Sequence, residues 1–412
     1  MTSREVVVMV ATSYPRFPGD GVGSFMEPIA KGVAALGHEV HLVAPWHPAI
    51  TRGRSEDGVW FHFFKYAPVP ALNVFGYASG LRADTDLRAA AWLAAPAAVA
   101  AGWFKAWRVA TKRRATVMHG HWVIPGGVMA GLAAGSLPLV VSLHGSDVYV
   151  AERHSALGAV ARRVFGRAGA VTACSDDLHQ RALRLGADPA TTVTVPYGVD
   201  LDRFAPAVDD RNARRALLGI TGAPLVFTAG RLVRKKGFEY LIDAIRLLQA
   251  TLPDVRLVIG GDGDLHEDLR RRADGLPVTL AGNLSQDQVG AWLSAADIIA
   301  VPSVRDDAGN VDGLPNFALE ALASGTPVVA TTAGGLPQAI TDGGNGRLVP
   351  ERDPSALAAA LEGIWRSPDH GAALGATARD RVAHAHSWRT TAERMVEAYG
   401  TARAGRTASA ID

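Results

Sequence analysis

The 412-residue chain has very little cysteine: Cys174 is the only one. A lone thiol cannot form an intramolecular disulfide and cannot supply a cysteine-rich metal site, so we expect a reducing, cytoplasmic compartment. A large excess of one charge sign is also lacking, because the formal net charge is +2. This balance argues against a protein built to neutralise nucleic acid, and we expect no nucleic-acid partner.

Long hydrophobic runs are lacking as well. The first apolar run, residues 6–11, has only strand length, so no signal peptide is expected. Residues 89–104 are apolar but are too short for the ~20 residues that cross a bilayer, and Pro96 is expected to break them. Residues 115–146 carry no Asp, Glu, Lys or Arg, yet glycine and proline interrupt them. We interpret them as strand, helix and strand, with a transmembrane helix as the less favoured alternative.

What the chain does contain is a regular alternation of short Val-, Ile- and Leu-rich runs with helical patterns. Continuous apolar strands followed by helices are typical of α/β folds in which parallel sheets are covered on both faces. The length suits two domains, and the Pro- and Gly-containing segment PYGVDLDRFAP marks their boundary. In such sheets ligands bind at the carboxyl ends of the strands, so the strand-to-helix junctions are the places to look for chemistry.

Two junctions carry glycine and basic residues. Gly21 and Gly23 follow the first strand, where glycines let the backbone approach a phosphate; a flexible loop is the alternative. Arg231, Lys235 and Lys236 follow the strand at 224–229. An arginine fork and a lysine point charge can clamp a diphosphate, whereas the alternative is a solvated basic loop.

Two further junctions carry glycines and carboxylates. Gly260, Gly261 and Asp262 end another strand, as a close-approach site or simply a tight turn. Asp312 and Glu320 flank the expected start of a helix at Pro315, which leaves the N–H groups of Asn316 and Phe317 uncapped. Carboxylate, free N–H groups and carboxylate in a row match the hydroxyls and phosphates of a nucleotide sugar. Ordinary capping and surface charge are the alternative.

Taken together, these motifs resemble the retaining GT-B glycosyltransferases of family 4, over nearly the whole chain and most specifically over 228–244 and 302–350. The resemblance implies two Rossmann-like, doubly wound parallel-sheet domains that face each other across a cleft. Residues 1–200 would bind the acceptor and residues 201–387 the nucleotide-sugar donor. A C-terminal helix at about 388–403 would pack back on the first domain.

The resemblance also implies roles for individual residues. The residues implied in catalysis are His144, Arg231, Lys236 and Asp312. Donor binding is implied for Gly21, Gly23, Asp147, Arg231, Lys236, Gly260, Gly261, Asp262, Gly282, Asn283, Leu284, Asp312, Gly313, Leu314, Asn316, Phe317 and Glu320. Two positions depart from the family pattern: Asp312 replaces a glutamate and Pro315 replaces a glycine.

The implied reaction moves a sugar from a nucleoside diphosphate to a hydroxyl acceptor with retention at the anomeric carbon. We expect a UDP-sugar rather than GDP-mannose, in bacterial cell-envelope polysaccharide, glycolipid or natural-product biosynthesis. No cofactor and no metal are expected, because no Asp-x-Asp motif is suitably placed between a strand and a loop to hold a divalent cation, and the Asp-x-Asp sequence at 262–264 matches the family's glycine turn. The alternatives are a non-catalytic nucleotide-sugar binder, a GT-B phosphorylase or epimerase, and an NAD-dependent oxidoreductase.

A basic, aromatic segment at 103–114 indicates a membrane-side role. It holds Trp103, Phe104 and Trp107 among five Lys and Arg, and residues 87–146 contain no acidic side chain. Such a helix can rest on an anionic membrane, so we expect a lipid-linked acceptor and peripheral membrane association; a buried Ala-rich helix with a solvated basic end is the alternative. His119 and His121 could face a metal, but a structural or acceptor-side role is favoured.

Overall fold

The computed structural model describes residues 4–68, 73, 76–77, 81–82, 86–87, 89–205, 215–216, 224–307 and 309–409. The chain forms two compact units. Met1–Tyr197 and Trp388–Asp412 make up the first unit, and Gly198–Ser387 make up the second. None of the helices in the described part of the chain is both long enough and apolar enough to cross a membrane.

The first unit is built on an eight-stranded sheet with the order β10-β9-β8-β7-β1-β2-β4-β3, accompanied by a separate β5-β6 pair. Its strands are β1 (Val6–Val10), β2 (Glu39–Pro45), β3 (Ser55–Glu56), β4 (Val59–Phe64), β5 (Leu81–Arg82), β6 (Asp86–Leu87), β7 (Val117–His121), β8 (Leu139–Leu143), β9 (Ala170–Ala173) and β10 (Thr192–Thr194). Apart from the antiparallel β3–β4 edge, the neighbours in the large sheet run parallel. The central strands β7 and β8 are wholly buried, although β7 carries two histidines and β8 a serine.

Helices cover this sheet. They are α1 (Met26–Ala35), α2 (Ala89–Arg113), α3 (Val128–Ala134), α4 (Ser146–Arg153), α5 (Ser155–Phe165) and α6 (Asp176–Arg184). The expectation that Pro96 breaks its segment is wrong, because Pro96 lies inside α2, a continuous helix of 25 residues. A proline removes one helical hydrogen bond, and tertiary packing can offset that loss. Such packing is close at Gly102, where a Cβ would lie 2.2 Å from Met129 Sδ and 2.9 Å from Phe64 Cζ.

The C-terminal helix (Trp388–Ser409) packs within the first unit and runs six residues past the expected end. It lies against α1, where a Cβ on Gly32 would come within 2.8 Å of Ala392 Cβ. Tyr399 is 1% exposed, and its hydroxyl lies 2.9 Å from His119 Nδ1 on β7. Gly32 and Ala392 therefore let the C-terminal helix approach α1 closely.

The second unit is a six-stranded, wholly parallel sheet with the order β13-β12-β11-β14-β15-β16. Its strands are β11 (Leu225–Ala229), β12 (Arg256–Gly260), β13 (Val278–Gly282), β14 (Ile298–Val301), β15 (Val328–Thr331) and β16 (Arg347–Val349). Its helices are α7 (Phe238–Leu248), α8 (His266–Arg272), α9 (Gln286–Ala295), α10 (Asn316–Ala323), α11 (Leu336–Ala339), α12 (Pro354–Arg366) and α13 (Pro368–Ala385).

The core of this unit lies between the sheet and α7 and α12. Leu241, Ile245 and Leu357 are fully buried there, and each such side chain contributes about 1.5–3 kcal/mol through burial. Because every strand is parallel, all six carboxyl ends lie along one edge. The prediction of an α/β fold with two parallel-sheet domains is confirmed.

Candidate active site

Three neighbouring strands of the second unit end in bare backbone. The Gly230 amide donates to the Gly260 carbonyl at 2.9 Å, and the Gly261 amide donates to the Gly282 carbonyl at 2.6 Å. Gly261 has φ +128°, and a Cβ there would lie 1.9 Å from Gly230 O. Glycine is therefore required for these loops to touch, and the predicted Gly260, Gly261 and Gly282 lie side by side.

The residues that follow these glycines are arranged around them. Leu284 lies over Gly260, whose Cβ would come within 2.4 Å of Leu284 Cδ1. Asn283 is exposed, and Ser285 caps α9 together with Gln288. The Asp262 carbonyl accepts the Leu232 amide at 3.0 Å, while its side chain stays 58% exposed. The loop thus presents backbone groups and one exposed carboxylate at the strand ends.

A buried ion cluster lies at the end of β11. Residues 234–236 form a 3-10 turn there. Lys235 Nζ lies 2.9 Å from Oδ1 of Asp312, and Lys236 Nζ lies 2.6 Å from Oδ2. Burial alone would raise the pKa of Asp312, but the two ammonium groups hold the pKa of that carboxyl well below its usual range. Arg231 is exposed in the same loop. Two ammonium groups thus share one carboxylate in this cluster.

The loop that carries Asp312 rests on two glycines that follow β15. Gly334 has φ +54°, and a Cβ there would lie 2.0 Å from Asp312 O. A Cβ on Gly335 would lie 2.0 Å from Gly313 O. Leu314 is 5% exposed and anchors the loop in the core. The predicted segment 312–314 is therefore placed by backbone-to-backbone packing that a side chain would prevent.

Helix α10 points its N-terminus at this edge. Pro315 was expected within the first turn, and it is instead the N-cap, one residue before the helix, with no side-chain cap. Asn316 and Phe317 carry the first helical N–H groups, where the helix dipole favours an anion. The Phe317 ring packs edge-on against Phe227, and Asn316 Oδ1 is buried without a partner among the described residues. The ring contact of Phe317 thus anchors the start of the helix.

Glu320 lies on the same helix. Burial raises its pKa to about 7, against the opposing influence of Arg203 and Lys236. Lys236 therefore acts electrostatically on both carboxylates that the sequence singled out, Asp312 and Glu320. The predicted cations, carboxylates and helix N-terminus are brought together at one edge of the second sheet.

In the first unit, His144 follows β8 and is held on both sides. Its Nε2 lies 3.0 Å from His121 Nδ1, and its Nδ1 lies 2.5 Å from the Tyr197 hydroxyl. The Phe25 ring packs on His144 and Tyr197, with centroid distances of 4.7 and 4.8 Å. Burial, with a smaller contribution from His119, lowers the pKa of His144 to about 3, so the imidazole is neutral at physiological pH.

Two other side chains that the sequence singled out in this unit, Asp147 and His119, have their hydrogen-bonding atoms used within the fold. Asp147 accepts the amides of Val123 at 2.7 Å and Gly145 at 3.0 Å, and burial raises its pKa to about 6 against these bonds. Both nitrogens of His119 are used within the fold, by Ser142 Oγ at 2.7 Å and by Tyr399. Asp147 thus fixes the turn that presents His144, and His119 has a structural role.

The glycine loop after β1 is closed by an ion pair. Arg16 binds both oxygens of Asp20, at 2.6 and 3.0 Å, and Asp20 accepts the Val22 amide at 3.2 Å. Gly21 has open space where a Cβ would point, and Gly23, with φ +68°, lies in the turn three residues before α1 begins. The loop has a defined shape and leaves bare backbone at Gly21.

Sequence reasoning missed three side chains of these clusters. Lys235 was noted only as part of a basic loop, although the Lys-Lys doublet was a usable signal. His121 and Tyr197 were not assigned to His144, because they lie 23 and 53 residues away along the chain. Contacts between residues so far apart in the chain produce no local sequence pattern.

Residues 223–367 match the family model described as glycosyl transferases group 1, and residues 20–198 match a glycosyl transferase 4-like domain. One relative comes from Mycolicibacterium smegmatis and is named GDP-mannose-dependent alpha-(1-6)-phosphatidylinositol monomannoside mannosyltransferase. It is 34% identical to this chain over an alignment that covers 67% of this chain and 73% of that protein. A D-inositol 3-phosphate glycosyltransferase of Streptomyces scabiei is 33% identical over 73% and 71%.

Solved structures agree on the fold. The crystal structure of Anabaena HepE in complex with UDP matches with a TM-score of 0.76 at 20% identity, covering 96% of this chain and 100% of that one. Sucrose-phosphate synthase from Thermosynechococcus elongatus matches with a TM-score of 0.75 at 21% identity, over 97% and 99%. The fold is that of the GT-B enzymes. The chain belongs to the group 1, or family 4, glycosyltransferases, and it is a glycosyltransferase.

Proposed function

We propose that this enzyme transfers mannose from GDP-mannose, with retention, to a hydroxyl of a lipid-linked, inositol-bearing acceptor. The cations around Asp312 carry the donor class, because Lys235 and Lys236 share one carboxylate and would attract the negatively charged diphosphate of a sugar nucleotide. The sugar and base rest on the relatives named as GDP-mannose-dependent. These relatives do not support the preference for a UDP-sugar that the sequence suggested.

Donor binding begins with an exchange of partners at Asp312. Lys235 and Lys236 are positioned by this carboxylate before the donor arrives. A diphosphate at the end of β11 would take over the ammonium of Lys236, with Arg231 as a second cation. The Asp312 carboxylate would then accept hydrogen bonds from sugar hydroxyls. The cations need little reorganisation, which is how electrostatic stabilisation becomes effective in catalysis.

The chemical step is departure of the diphosphate from an oxocarbenium-like carbon. Negative charge grows on the leaving oxygen, where Arg231, Lys236 and the amides at the start of α10 can stabilise it. We assign no carboxylate as nucleophile. The departing phosphate on the same face as the acceptor would take the acceptor proton, which accounts for retention.

The remaining predicted residues would bind the rest of the donor. Glu320 would bind the ribose hydroxyls, and Gly282 to Leu284 would hold the base through backbone groups. In the first unit, Gly21 would lie near the phosphates, and neutral His144 would bind the transferred sugar. Burial keeps this imidazole uncharged, so it suits a hydroxyl or carbonyl partner better than a phosphate.

Two observations support the proposed acceptor: the names of the relatives and the exposed side chains of helix α2. The relatives from Mycolicibacterium smegmatis and Corynebacterium glutamicum are named for phosphatidylinositol monomannosides. In this chain Trp103, Phe104 and Trp107 are exposed beside basic residues. A lipid-linked acceptor at the cytoplasmic membrane surface would meet such a helix.

The test is a transfer assay with radiolabelled GDP-mannose, UDP-glucose and UDP-N-acetylglucosamine, each with phosphatidylinositol monomannoside and with inositol 3-phosphate as acceptors. We expect transfer from GDP-mannose to the lipid acceptor, with the α configuration retained by NMR. Transfer from a UDP-sugar alone would overturn the donor, and transfer to inositol 3-phosphate alone would overturn the acceptor. Binding without transfer or hydrolysis would support a non-catalytic binder, and binding of NAD alone would support an oxidoreductase.

A further inference from the structure

A buried arginine outside the motifs that the sequence singled out joins three segments of the first unit. Arg52 lies in the loop between β2 and β3, and its side chain is only 1% exposed. Its Nε donates to the Pro15 carbonyl at 3.1 Å. Its Nη1 and Nη2 donate to the two carboxylate oxygens of Glu27 at 2.9 and 2.8 Å, and Nη1 also pairs with Glu56. All three nitrogens of the buried guanidinium are therefore used within the fold, as the burial of a charge requires.

The first of these bonds fixes the base of the glycine loop that follows β1. Beside it, the Thr51 amide donates to the Arg16 carbonyl at 3.0 Å, so the segment between β2 and β3 holds two consecutive carbonyls of this loop. Asp20, which Arg16 binds at 2.6 and 3.0 Å, is the residue before Gly21. The Gly21 backbone is therefore placed by a chain of contacts that begins at Arg52.

The fork on Glu27 fixes the start of α1. Glu27 lies in the first turn of this helix, two residues after the N-cap Phe25. The Phe25 ring packs on His144, with the ring centroids 4.7 Å apart. Burial alone would raise the pKa of Glu27, but hydrogen bonds from Arg52 and Lys31 hold that pKa below its usual value, so the carboxylate stays charged. The fork therefore holds the helix end that supports His144.

This position suits an arginine rather than any cation. A planar guanidinium directs donors to three separate acceptors at once, whereas a lysine side chain ends in a single nitrogen. The guanidinium of Arg52 also lies 5.6 Å from the centroid of the buried Tyr14 ring, which limits where the fork can sit. Because the side chain is enclosed by the fold, its influence on a substrate passes through the loop and the helix that it joins.

We propose that Arg52 is a positioning residue for sugar transfer: it sets the glycine loop and the start of α1 relative to each other, so that the Gly21 backbone and His144 meet the donor together. The inference rests on the proposed function, which gives Gly21 and His144 their roles. In that function the cations of the second unit bind the diphosphate. A displaced glycine loop should therefore slow the chemical step more than it weakens donor binding, because misplacement by about 1 Å costs about 10²-fold in rate.

The experiment compares Arg52→Lys with the matched control Arg54→Lys in the full chain. Arg54 lies exposed in the same loop, and its backbone carbonyl accepts the Phe61 amide, which the substitution leaves in place. The readouts are kcat for transfer from GDP-mannose to phosphatidylinositol monomannoside and the Kd of GDP-mannose by isothermal titration. For Arg52→Lys we expect kcat to fall roughly 10- to 100-fold while Kd stays within about threefold of wild type. Arg54→Lys should match the wild type in both. An unchanged kcat in Arg52→Lys, or a loss of affinity as large as the loss of kcat, would overturn the proposal.

Two further measurements separate positioning from a general loss of stability. Urea denaturation gives the folded fraction, and the kcat loss of Arg52→Lys should persist after division by that fraction; a loss that vanishes would overturn the proposal. Glu27→Gln weakens the acceptor of the fork, so Arg52→Lys/Glu27→Gln should lose less than the product of the two single losses, since both changes break one interaction. Losses that simply multiply would show that the two residues act independently, against the proposal.

Lys236→Ala tests the proposed function separately, because it should weaken the binding of GDP-mannose itself. A wild-type Kd in Lys236→Ala with a reduced kcat in Arg52→Lys would contradict the donor site and support the positioning role. Weak binding in Lys236→Ala with a wild-type kcat in Arg52→Lys would contradict the positioning role alone. For a wild type that uses a UDP-sugar instead, the same comparison is made with that donor.

Discussion

Lys236 Nζ lies 2.6 Å from Oδ2 of Asp312, and both side chains are largely buried. The contact joins the loop after β11 to the loop before α10, two segments that are 76 residues apart. Because Lys235 binds the other oxygen of the same carboxylate, Asp312 positions two cations at once. The pair therefore holds the two loops together and, in the proposed function, supplies positive charge for a diphosphate.

The first prediction concerns the two cations of the clamp. Lys236→Ala and Arg231→Ala should each lower kcat/KM for transfer by about 10²–10³, because each removes charge that stabilises the leaving group. Circular dichroism should show intact folding. Arg234→Ala is the matched control, since Arg234 lies in the same turn with its side chain 65% exposed. Wild-type turnover in both Lys236→Ala and Arg231→Ala would show that these two cations do not stabilise the leaving diphosphate.

The second prediction concerns Asp312 itself. Asp312→Asn leaves two lysines beside a neutral group, and breaking a buried ion pair in this way costs about 3–5 kcal/mol. Urea denaturation should show that loss, and donor affinity should fall with it. Asp312→Glu keeps the charge, so it should recover most of the stability. If Asp312→Asn were as stable as wild type, the ion cluster would not organise this loop.

The third prediction is an acid-sensitive first unit. Burial lowers the pKa of His119 to about 3, whereas the unfolded chain protonates it near 6.5. Between these values the unfolded state binds the extra proton, so this contribution to stability is intact above pH 6.5 and is lost as the pH falls, by about 1.4 kcal/mol per pH unit. In urea denaturation at pH 7.5, 6 and 5, His119→Gln should show a shallower loss than wild type. The control His384→Gln, at an exposed site, should keep the wild-type slope.

The fold class followed from the sequence because buried parallel strands leave continuous apolar runs. The junctions at Gly260 and Gly261 could likewise be recognised, since strand, glycine and helix signals are local. The pairing of Lys235 with Asp312 could not be recognised in this way. It depends on Gly334 and Gly335, which let the backbone of residues 312–313 pack closely against them. The continuity of α2 through Pro96 was missed for a related reason, as tertiary packing at Gly102 outweighs a local helix breaker.

The partners of His144 show the same limit. His121 is placed beside it by the parallel pairing of β7 and β8, in which His121 lies opposite Ser142. Tyr197 reaches it from the end of the first unit's continuous segment. A single sequence carries no local mark of either contact, whereas the histidine itself was recognisable from the family resemblance.

The fourth prediction is metal-independent transfer. The site already brings Arg231, Lys235 and Lys236 to the expected diphosphate, so an added divalent cation should be dispensable. Activity after dialysis against EDTA should equal that of the untreated enzyme. Abolished activity that Mg²⁺ or Mn²⁺ restores would show that lysine and arginine do not suffice.

The central claim is that the second unit binds a sugar-linked diphosphate at Lys236. Isothermal titration of GDP-mannose into the wild type and into Lys236→Ala tests it most directly. We predict saturable binding to the wild type and at least a tenfold weaker Kd for the variant. Equal affinity in both proteins, or binding of neither GDP-mannose nor any UDP-sugar to the wild type, would contradict the claim.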